Sequence, residues 1–472
     1  MQHLDVIVVG AGVAGLAAAD ALTRDGVAVT VLERRPYVGG RAYSYLHPAL
    51  DEVVDSQHVL VGCCSNLIDF CERAGLSGNI RWYDRQTFLE PAHSGSAVRS
   101  SAIAPGALPP PMHYAGSFLS ASMLTMRDKL SIARGLSGLI GGFPSEDTES
   151  VASWYRRTSQ TEGAVRHLWD PVLLATLNDS AENCSLKYAG KVFHELFLKS
   201  AAGGRLGIPT VPLSQFYAAG AELVRSQGGK VELRASVEQL SRQSDGRWLL
   251  RCGDRSCIAD TVILALPFEQ TQRLVSGMAL QQPEDESVRA ELMAKMSHFI
   301  HSPFISILLW YDREITGLDH AWLLDSTIQW FFHKSRIRGY APERGSYVEL
   351  VIAGSRTELA MSRAGILEPA LEELKRFFPE AGSARLLKSG ILKEARATFS
   401  VTPGLDRYRP DQRTDLPGLY LAGDWTQTEW PSTMEGAARS GRLAAGELLG
   451  NRRRFMAPEL LPAGLMRWIG AD

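Results

Sequence analysis

Asp5-Val-Ile-Val-Val9-Gly10-Ala-Gly12-Val-Ala-Gly15, continued by an Ala/Leu-rich run to Leu22, lays down the architecture of the first part of this chain. The valine-rich residues read as a short buried strand and the run after the glycines as a helix, with G-x-G-x-x-G between them. Gly10 permits the tight turn, Gly12 lets the backbone approach a pyrophosphate, and Gly15 lets helix and strand pack closely. The phosphates would rest on the helix N-terminus, at Val13 and Ala14. A second strand over residues 27–32 ends at Glu33, where an acid accepts hydrogen bonds from the adenosine ribose. A lone glycine fingerprint is a weak signal. Strand before, helix after and acid at the next strand end make this one specific to a dinucleotide site.

The rest of the composition bounds the class. The 50 Lys+Arg against 52 Asp+Glu leave a net charge of −2, so the broad basic field that nucleic acid requires is missing and no such partner is expected. Hydrophobic residues at 45% and charged residues at 22% describe an ordinary globular protein, and 472 residues exceed a single core. Cys63, Cys64, Cys71, Cys184, Cys252 and Cys257 form no CxxC pair, so neither a metal site nor a disulfide framework is expected, and reduced thiols in the cytoplasm are. The apolar residues 6–19 lack a basic lead and carry the glycine turn, so they are expected to stay in the fold. No run reaches the roughly 18 apolar residues of a spanning helix, so any membrane contact would be peripheral.

Beyond Glu33, Arg34-Arg-Pro-Tyr-Val-Gly39-Gly40-Arg41 resembles the GG-R extension of the superfamily that holds amine oxidases, phytoene desaturases and protoporphyrinogen oxidases. There the glycine pair and arginine lie along the FAD diphosphate, so the resemblance selects FAD over NAD. Gly418-Leu-Tyr-Leu-Ala-Gly423-Asp424 resembles the second FAD motif, whose aspartate binds the ribityl chain. Thr433 and Met434 then open a small-residue helix whose N-terminal dipole can face the flavin N1/O2 edge. Lys230-Val-Glu-Leu-Arg234, with Val237 after it, resembles the strand beside the adenine, and Asp260-Thr-Val-Ile-Leu-Ala-Leu-Pro267 the return strand of the same domain. The resemblance implies a two-domain α/β (α+β) fold: a Rossmann-like FAD-binding domain, discontinuous in sequence, with an inserted substrate domain of sheet plus helices. The expected segments are 1–95, 205–275 and 395–450 for FAD, 96–204 and 276–394 for substrate and membrane, and 451–472 as a tail.

Asp55-Ser-Gln57-His58-Val-Leu-Val-Gly62, His167-Leu-Trp169-Asp170-Pro171 on to Asn178, and Gln329-Trp330-Phe331-Phe332 narrow the resemblance to hydroxysqualene dehydroxylases, the squalene-associated FAD-dependent desaturases. Asp170 departs from the glutamate of that family. Amine oxidases place a lysine near flavin N5 where this chain, in Ile305-Ser306-Ile-Leu-Leu-Trp-Tyr-Asp312, has Ser306; they place an aromatic wall where it has Thr433, though Trp430 remains. The resemblance therefore implies reductive dehydroxylation of hydroxysqualene to squalene, ahead of desaturation of an isoprenoid or carotenoid, amine oxidation, and a non-enzymatic FAD-binding subunit. Hydroxide leaves only with a proton, and the candidate acids are His58, beside the flavin in this superfamily, then Asp170 if an apolar pocket raises its pKa. Gln57, Trp169, Asn178, Trp330 and Thr433 are expected to shape the pocket. Each has a plain alternative: His58 bonded to backbone, Asp170 capping the helix that Pro171 starts, the tryptophans in the core.

No second dinucleotide unit is present, because Gly135-Leu-Ser-Gly-Leu-Ile-Gly141 has the wrong spacing, so electrons for FAD would come from a separate donor. After the proline-rich turn at residues 106–111, residues 112–126 carry no charge and precede Arg127, Lys129 and Arg134, the pattern of an interfacial helix or of a buried one. A lipid-resident substrate favours the first, with attachment through residues 112–143 and Phe118, Leu119 and Leu124 as contacts. The tail repeats the theme, with Arg452-Arg-Arg454 beside apolar residues. The expected location is cytoplasmic, on the inner face of the cell membrane.

Overall fold

The computed structural model describes residues 2–92 and 97–469. Strands Gln2–Val9 and Val29–Glu33 pair in parallel, flanked by Lys230–Leu233 on one side and Arg255–Leu264 on the other. Arg255–Leu264 pairs in parallel with Leu419–Leu421 and antiparallel with Trp248–Cys252, which in turn pairs with Gln239–Arg242. Residues 6–9 and 29–33 are buried without alternation, which is why they read as continuous apolar runs.

Helix Val13–Arg24 packs on helix Met434–Leu448 from the far end of the chain. A Cβ on Gly441 would stand 2.1 Å from the Ala14 carbonyl oxygen, so the approach admits only glycine. One on Gly15 would stand 1.9 Å from the Gly10 carbonyl oxygen, while Gly10 turns at φ +104°. The expected roles of both glycines hold.

A second seven-stranded sheet runs in the order Leu386–Phe399, His301–Tyr311, Ser346–Ala353, Trp330–Phe332, His320–Leu323, Gln86–Glu90, Arg99–Ile103. Two expected boundaries shift with it. Strand Gln86–Glu90, inside the expected segment 1–95, pairs with Arg99–Ile103 and His320–Leu323, and strand Leu386–Phe399 runs unbroken across residue 395. The 95/96 junction itself lies outside the described residues. Strand Leu206–Pro209 joins a small sheet with Leu60–Val61 and Ile80–Tyr83 between the two large ones in sequence.

Residues 112–126 do not form one helix. Ala115–Ser120 is a short helix, and a separate helix, Met126–Ser137, starts at Thr125 with a capping box to Asp128. Leu124 is buried at 3% exposure and so cannot be a surface contact, while Phe118 is half-buried and packs edge-on to Phe197. Leu119 at 63% and Leu130 at 67% are exposed instead. The tail packs onto this region: the Leu465 N–H donates to the Pro110 carbonyl at 2.9 Å and Ala463 to Lys199 at 2.9 Å. No helix among the described residues is long and apolar enough to cross a membrane.

Candidate flavin site and the cavity beside it

A cleft of about 750 Å³ lies over the carboxyl ends of the parallel strands. Gly10, Gly12, Val13 and Ala14 line it, and Gly12 leads helix Val13–Arg24 in extended conformation with no side-chain cap, leaving the first-turn amides for a ligand. A Cβ on Gly12 would meet only the Gly40 Cα, at 3.6 Å, so its space belongs to the cleft rather than to the protein. Gly39 folds over this turn, donating its N–H to the Ala11 carbonyl at 2.9 Å.

Glu33 ends its strand at the cleft, its oxygens accepting from the Ala11 N–H at 2.9 Å and the Arg35 N–H at 2.8 Å. Each oxygen keeps a second lone pair for a ribose hydroxyl. Arg34 and Val237 lie on the lining, Val237 in the loop after strand Lys230–Leu233. Arg41 pairs with Asp424 at 2.5 Å, joining the two ends of the chain across the cleft, and Asp424 also accepts from the Ser432 hydroxyl at 2.7 Å. Gly423 holds φ +153° with its N–H bonded to the Ser440 hydroxyl at 2.8 Å. Thr433 caps helix Met434–Leu448, its hydroxyl accepting from the Gly436 N–H at 3.1 Å. The uncapped helix start, the acid and the second helix N-terminus suit the phosphates, ribose and ring edge of FAD in turn.

Gln57, His58, Asn178, Trp330 and Thr433 converge on the same cleft from four separate segments. A buried charge network fixes the first two. Asp55 pairs with Lys334 and, at 2.8 Å, with Arg338; Lys334 also reaches Glu349 at 2.6 Å, and Glu349 accepts from the Gln57 N–H at 2.9 Å and the Ser306 hydroxyl at 2.5 Å. Burial raises the Asp55 carboxyl, but Lys334 and Arg338 outweigh it and hold the group at about 2. Sequence pattern gave no sign of this network: of its charged members only Asp55 stood within a motif, 279 positions before Lys334.

His58 stands where expected but in a form unlike the acid proposed for it. Its Nδ1 lies 2.9 Å from the Ser56 carbonyl oxygen, which can only accept, so Nδ1 carries a proton. Burial lowers its pKa below the ordinary value, leaving the ring neutral at pH 7 with Nε2 as an acceptor. Asn178 ends helix Asp170–Leu177 in the left-handed region at φ 57° and ties it to the second sheet, donating to Ser302, Pro303 and Thr398 and accepting from the Gly354 N–H at 2.8 Å.

Trp169 and Asp170 do not reach the cleft. On their helical run, a π-helical turn Val165–Trp169 followed by helix Asp170–Leu177, it is Leu168, Val172, Ala175 and Thr176 that line a cavity beside the cleft, and neither Trp169 nor Asp170 is among its walls. Trp169 is fully buried against Trp154 and Phe193, its Nε1–H donating to Gln160 at 2.8 Å. Asp170 accepts from the Tyr155 hydroxyl at 3.1 Å. Burial raises its pKa to about 6, but the half-buried carboxyl lines neither the cleft nor the cavity beside it.

An inner cavity of about 160 Å³ adjoins the cleft, sharing Val59, Ala175, Thr176, Trp330, Thr433 and Met434 with it. Its walls are apolar, with Trp322 stacked on Trp330 at 4.3 Å and on Phe88 at 5.4 Å. Lys191, Glu195 and Glu435 interrupt them, and sequence analysis singled out none of the three for this role. Ser306, at the position where amine oxidases carry their lysine, is buried and bonded to Glu349.

Known proteins agree with this geometry. The family model for flavin containing amine oxidoreductases matches residues 13–449. A zeta-carotene desaturase from Synechocystis sp. is 25% identical over 96% of this chain and 99% of its own length. A 15-cis-phytoene desaturase from an Oncidium hybrid cultivar is 28% identical over 94% of this chain and 77% of its own. The solved structure of an oxidoreductase from Methanosarcina mazei shares the fold, with a TM-score of 0.70 at 19% identity over 95% of this chain and 100% of its own. The cofactor is FAD, the architecture is the two-domain α/β one, and the chain belongs to the flavin containing amine oxidoreductase family.

Proposed function

We propose that the protein is an FAD-dependent oxidoreductase of a long isoprenoid, and that its reaction is the reductive dehydroxylation of hydroxysqualene to squalene. The observation that carries this reading is the apolar cavity continuing from the flavin cleft, walled by Phe88, Trp322 and Trp330 and bordered by the 57–61 segment that resembles hydroxysqualene dehydroxylases. When bound and reduced, FAD supplies hydride chemistry at the cleft, with electrons drawn from a separate donor. The protein's own part is to exclude water with this aromatic wall and to position the reacting end beside His58; the hydride and the proton that turn hydroxysqualene into squalene and water would both come with the two-electron-reduced flavin, so the reaction balances without an acid from the protein. The Asp55–Lys334–Glu349 network keeps the Gln57–His58 backbone in place.

Desaturation of a carotenoid-type polyene is the second reading, favoured by the desaturase relatives and by an imidazole poised to accept a proton. Amine oxidation is third. Beyond the missing N5 lysine, a cationic amine entering the inner cavity would meet the ammonium of Lys191, which lies 4.8 Å from the Trp430 ring centroid and takes up the aromatic face such a substrate needs.

Chemically reduced enzyme is mixed anaerobically with hydroxysqualene, and flavin reoxidation is followed together with product mass. Stoichiometric squalene is expected. Inertness toward hydroxysqualene, with flavin reduction by phytoene or by an amine, transfers the assignment to a rival. His58→Ala should keep its flavin spectrum and slow turnover by about 10²-fold; an unchanged rate removes His58 from the reacting end.

We further propose cytoplasmic, peripheral attachment to the inner face of the cell membrane. Leu119, Leu130, Leu461 and Trp468 are exposed on the two segments that pack together through Pro110 and Leu465, with Arg127, Lys129 and Arg467 beside them in sequence. Tyr114, from the same region, lines the inner cavity.

A further inference from the structure

Lys191 sits on helix Leu186–Phe197 with only 7% of its surface exposed, among the residues lining the inner cavity. Its Nζ lies 4.8 Å from the centre of the Trp430 ring and 5.8 Å from that of Phe143. Among the described residues it makes no side-chain hydrogen bond and has no ion-pair partner within 4 Å. The other two charged residues of the lining are already committed. Glu195 pairs with Lys199 at 2.8 Å, and Glu435 accepts from the backbone of Asn66 at 3.2 Å and of Leu67 at 2.8 Å and from the Asn66 side chain at 3.0 Å.

An ammonium in an apolar cavity is costly when its donors are unspent, and the ring faces of Trp430 and Phe143 compensate it only in part. A hydrocarbon filling the cavity would strip its remaining water and return nothing. A hydroxyl would accept one of its three donors. We infer that Lys191 is the specificity-determining contact of the inner cavity, donating a hydrogen bond to the oxygen of an isoprenoid alcohol and so separating alcohols from hydrocarbons of the same length.

This inference rests on the isoprenoid reading and adds the group that selects an oxygenated substrate. The charges around Lys191 fit the role. Glu195 on its own helix, Glu435 and Arg439 on helix Met434–Leu448, and Glu429 and Glu459 on the segments flanking that helix surround it. Burial, then Arg439, lowers its pKa; charged or neutral, the amine keeps N–H donors for a substrate oxygen.

The test measures dissociation constants of FAD-loaded protein for hydroxysqualene and for squalene, read from perturbation of the flavin absorption band. Wild type should prefer the alcohol by about tenfold or more, the usual weight of a hydrogen bond from a charged donor. Lys191→Met should bring the two ligands within about twofold while binding squalene at least as well, and Lys191→Arg should keep the preference. An unaltered flavin spectrum in each variant reports an intact fold. Equal binding of alcohol and hydrocarbon by wild type, or an undiminished preference in Lys191→Met, overturns the assignment whether or not turnover occurs. Preferential binding of the alcohol without any turnover by reduced enzyme would instead overturn the dehydroxylation reading and leave Lys191 as the selecting contact.

Discussion

At Gly12 and Gly15 one residue type answers two different demands. A side chain on Gly15 collides with the Gly10 carbonyl, whereas one on Gly12 enters the cleft and touches protein only at ordinary contact distance. Gly12→Val is therefore expected to purify colourless and to melt with the midpoint of wild-type protein stripped of FAD. Gly15→Val should lose stability first, by about 1–3 kcal/mol or more from overpacking. Absorbance at the flavin band and thermal unfolding, measured on the same samples, separate the two. Asp170 makes a second residue-scale prediction. Its folded pKa of about 6 lies above the ordinary 3.8, so the fold favours the protonated acid: stability is complete below about pH 4 and falls as pH rises toward 6. Asp170→Asn, which can still accept from Tyr155, should match wild type at pH 4 and exceed it in melting temperature at pH 7. Equal stability at both values would contradict the partial burial that raises the pKa of this carboxyl.

Among the elements, the helices after residue 112 show how composition and surface differ. An uncharged run there suggests one apolar face, but the Ala121–Thr125 break between helices Ala115–Ser120 and Met126–Ser137 turns Met123 and Leu124 inward and leaves Leu119 and Leu130 outside. Liposome flotation at low salt with anionic lipid should carry the wild type upward, and Leu119→Ser with Leu130→Ser and Trp468→Ser should release it. Leu124→Ser, by contrast, should lower stability by about 2–5 kcal/mol through lost core packing. A wild type that stays in the soluble fraction would end the membrane proposal. In the helical run that ends at Asn178, Trp169 and Asp170, which resemble a family motif, lie outside the cavity lining, while Val172, Ala175 and Thr176 form its cavity face.

Across the whole molecule, Asp55 and Lys334, separated by 279 positions, hold the flavin-proximal segment to the second sheet through a buried network with Glu349, which the largely buried Arg338 side chain joins. Asp55→Asn leaves Lys334 with one anionic partner fewer and is expected to cost about 3–5 kcal/mol. The folded pKa of about 2 lies below the ordinary 3.8, so the stabilisation is complete above about pH 4 and is lost as pH falls through 2. Wild-type melting temperature should fall steeply in that window and the variant's less so. From the residues alone the cofactor, the nucleotide-binding unit, the two-domain class and the positions of Gly12, Glu33, Arg41 and Asp424 could be read, because each depends on local turns, strand ends and a short spacing. Which residues meet at the substrate could be read only in part. His58, Gln57, Asn178, Trp330 and Thr433 did converge, but the π-helical turn and the helix after it left Trp169 and Asp170 outside the lining, and burial with a backbone carbonyl decided the proton on His58. Lys191, Glu195 and Glu435 came together only when helix Leu186–Phe197 packed beside the start of helix Met434–Leu448, since nothing in a linear pattern records which side chains will share one cavity and which will be left there without a partner.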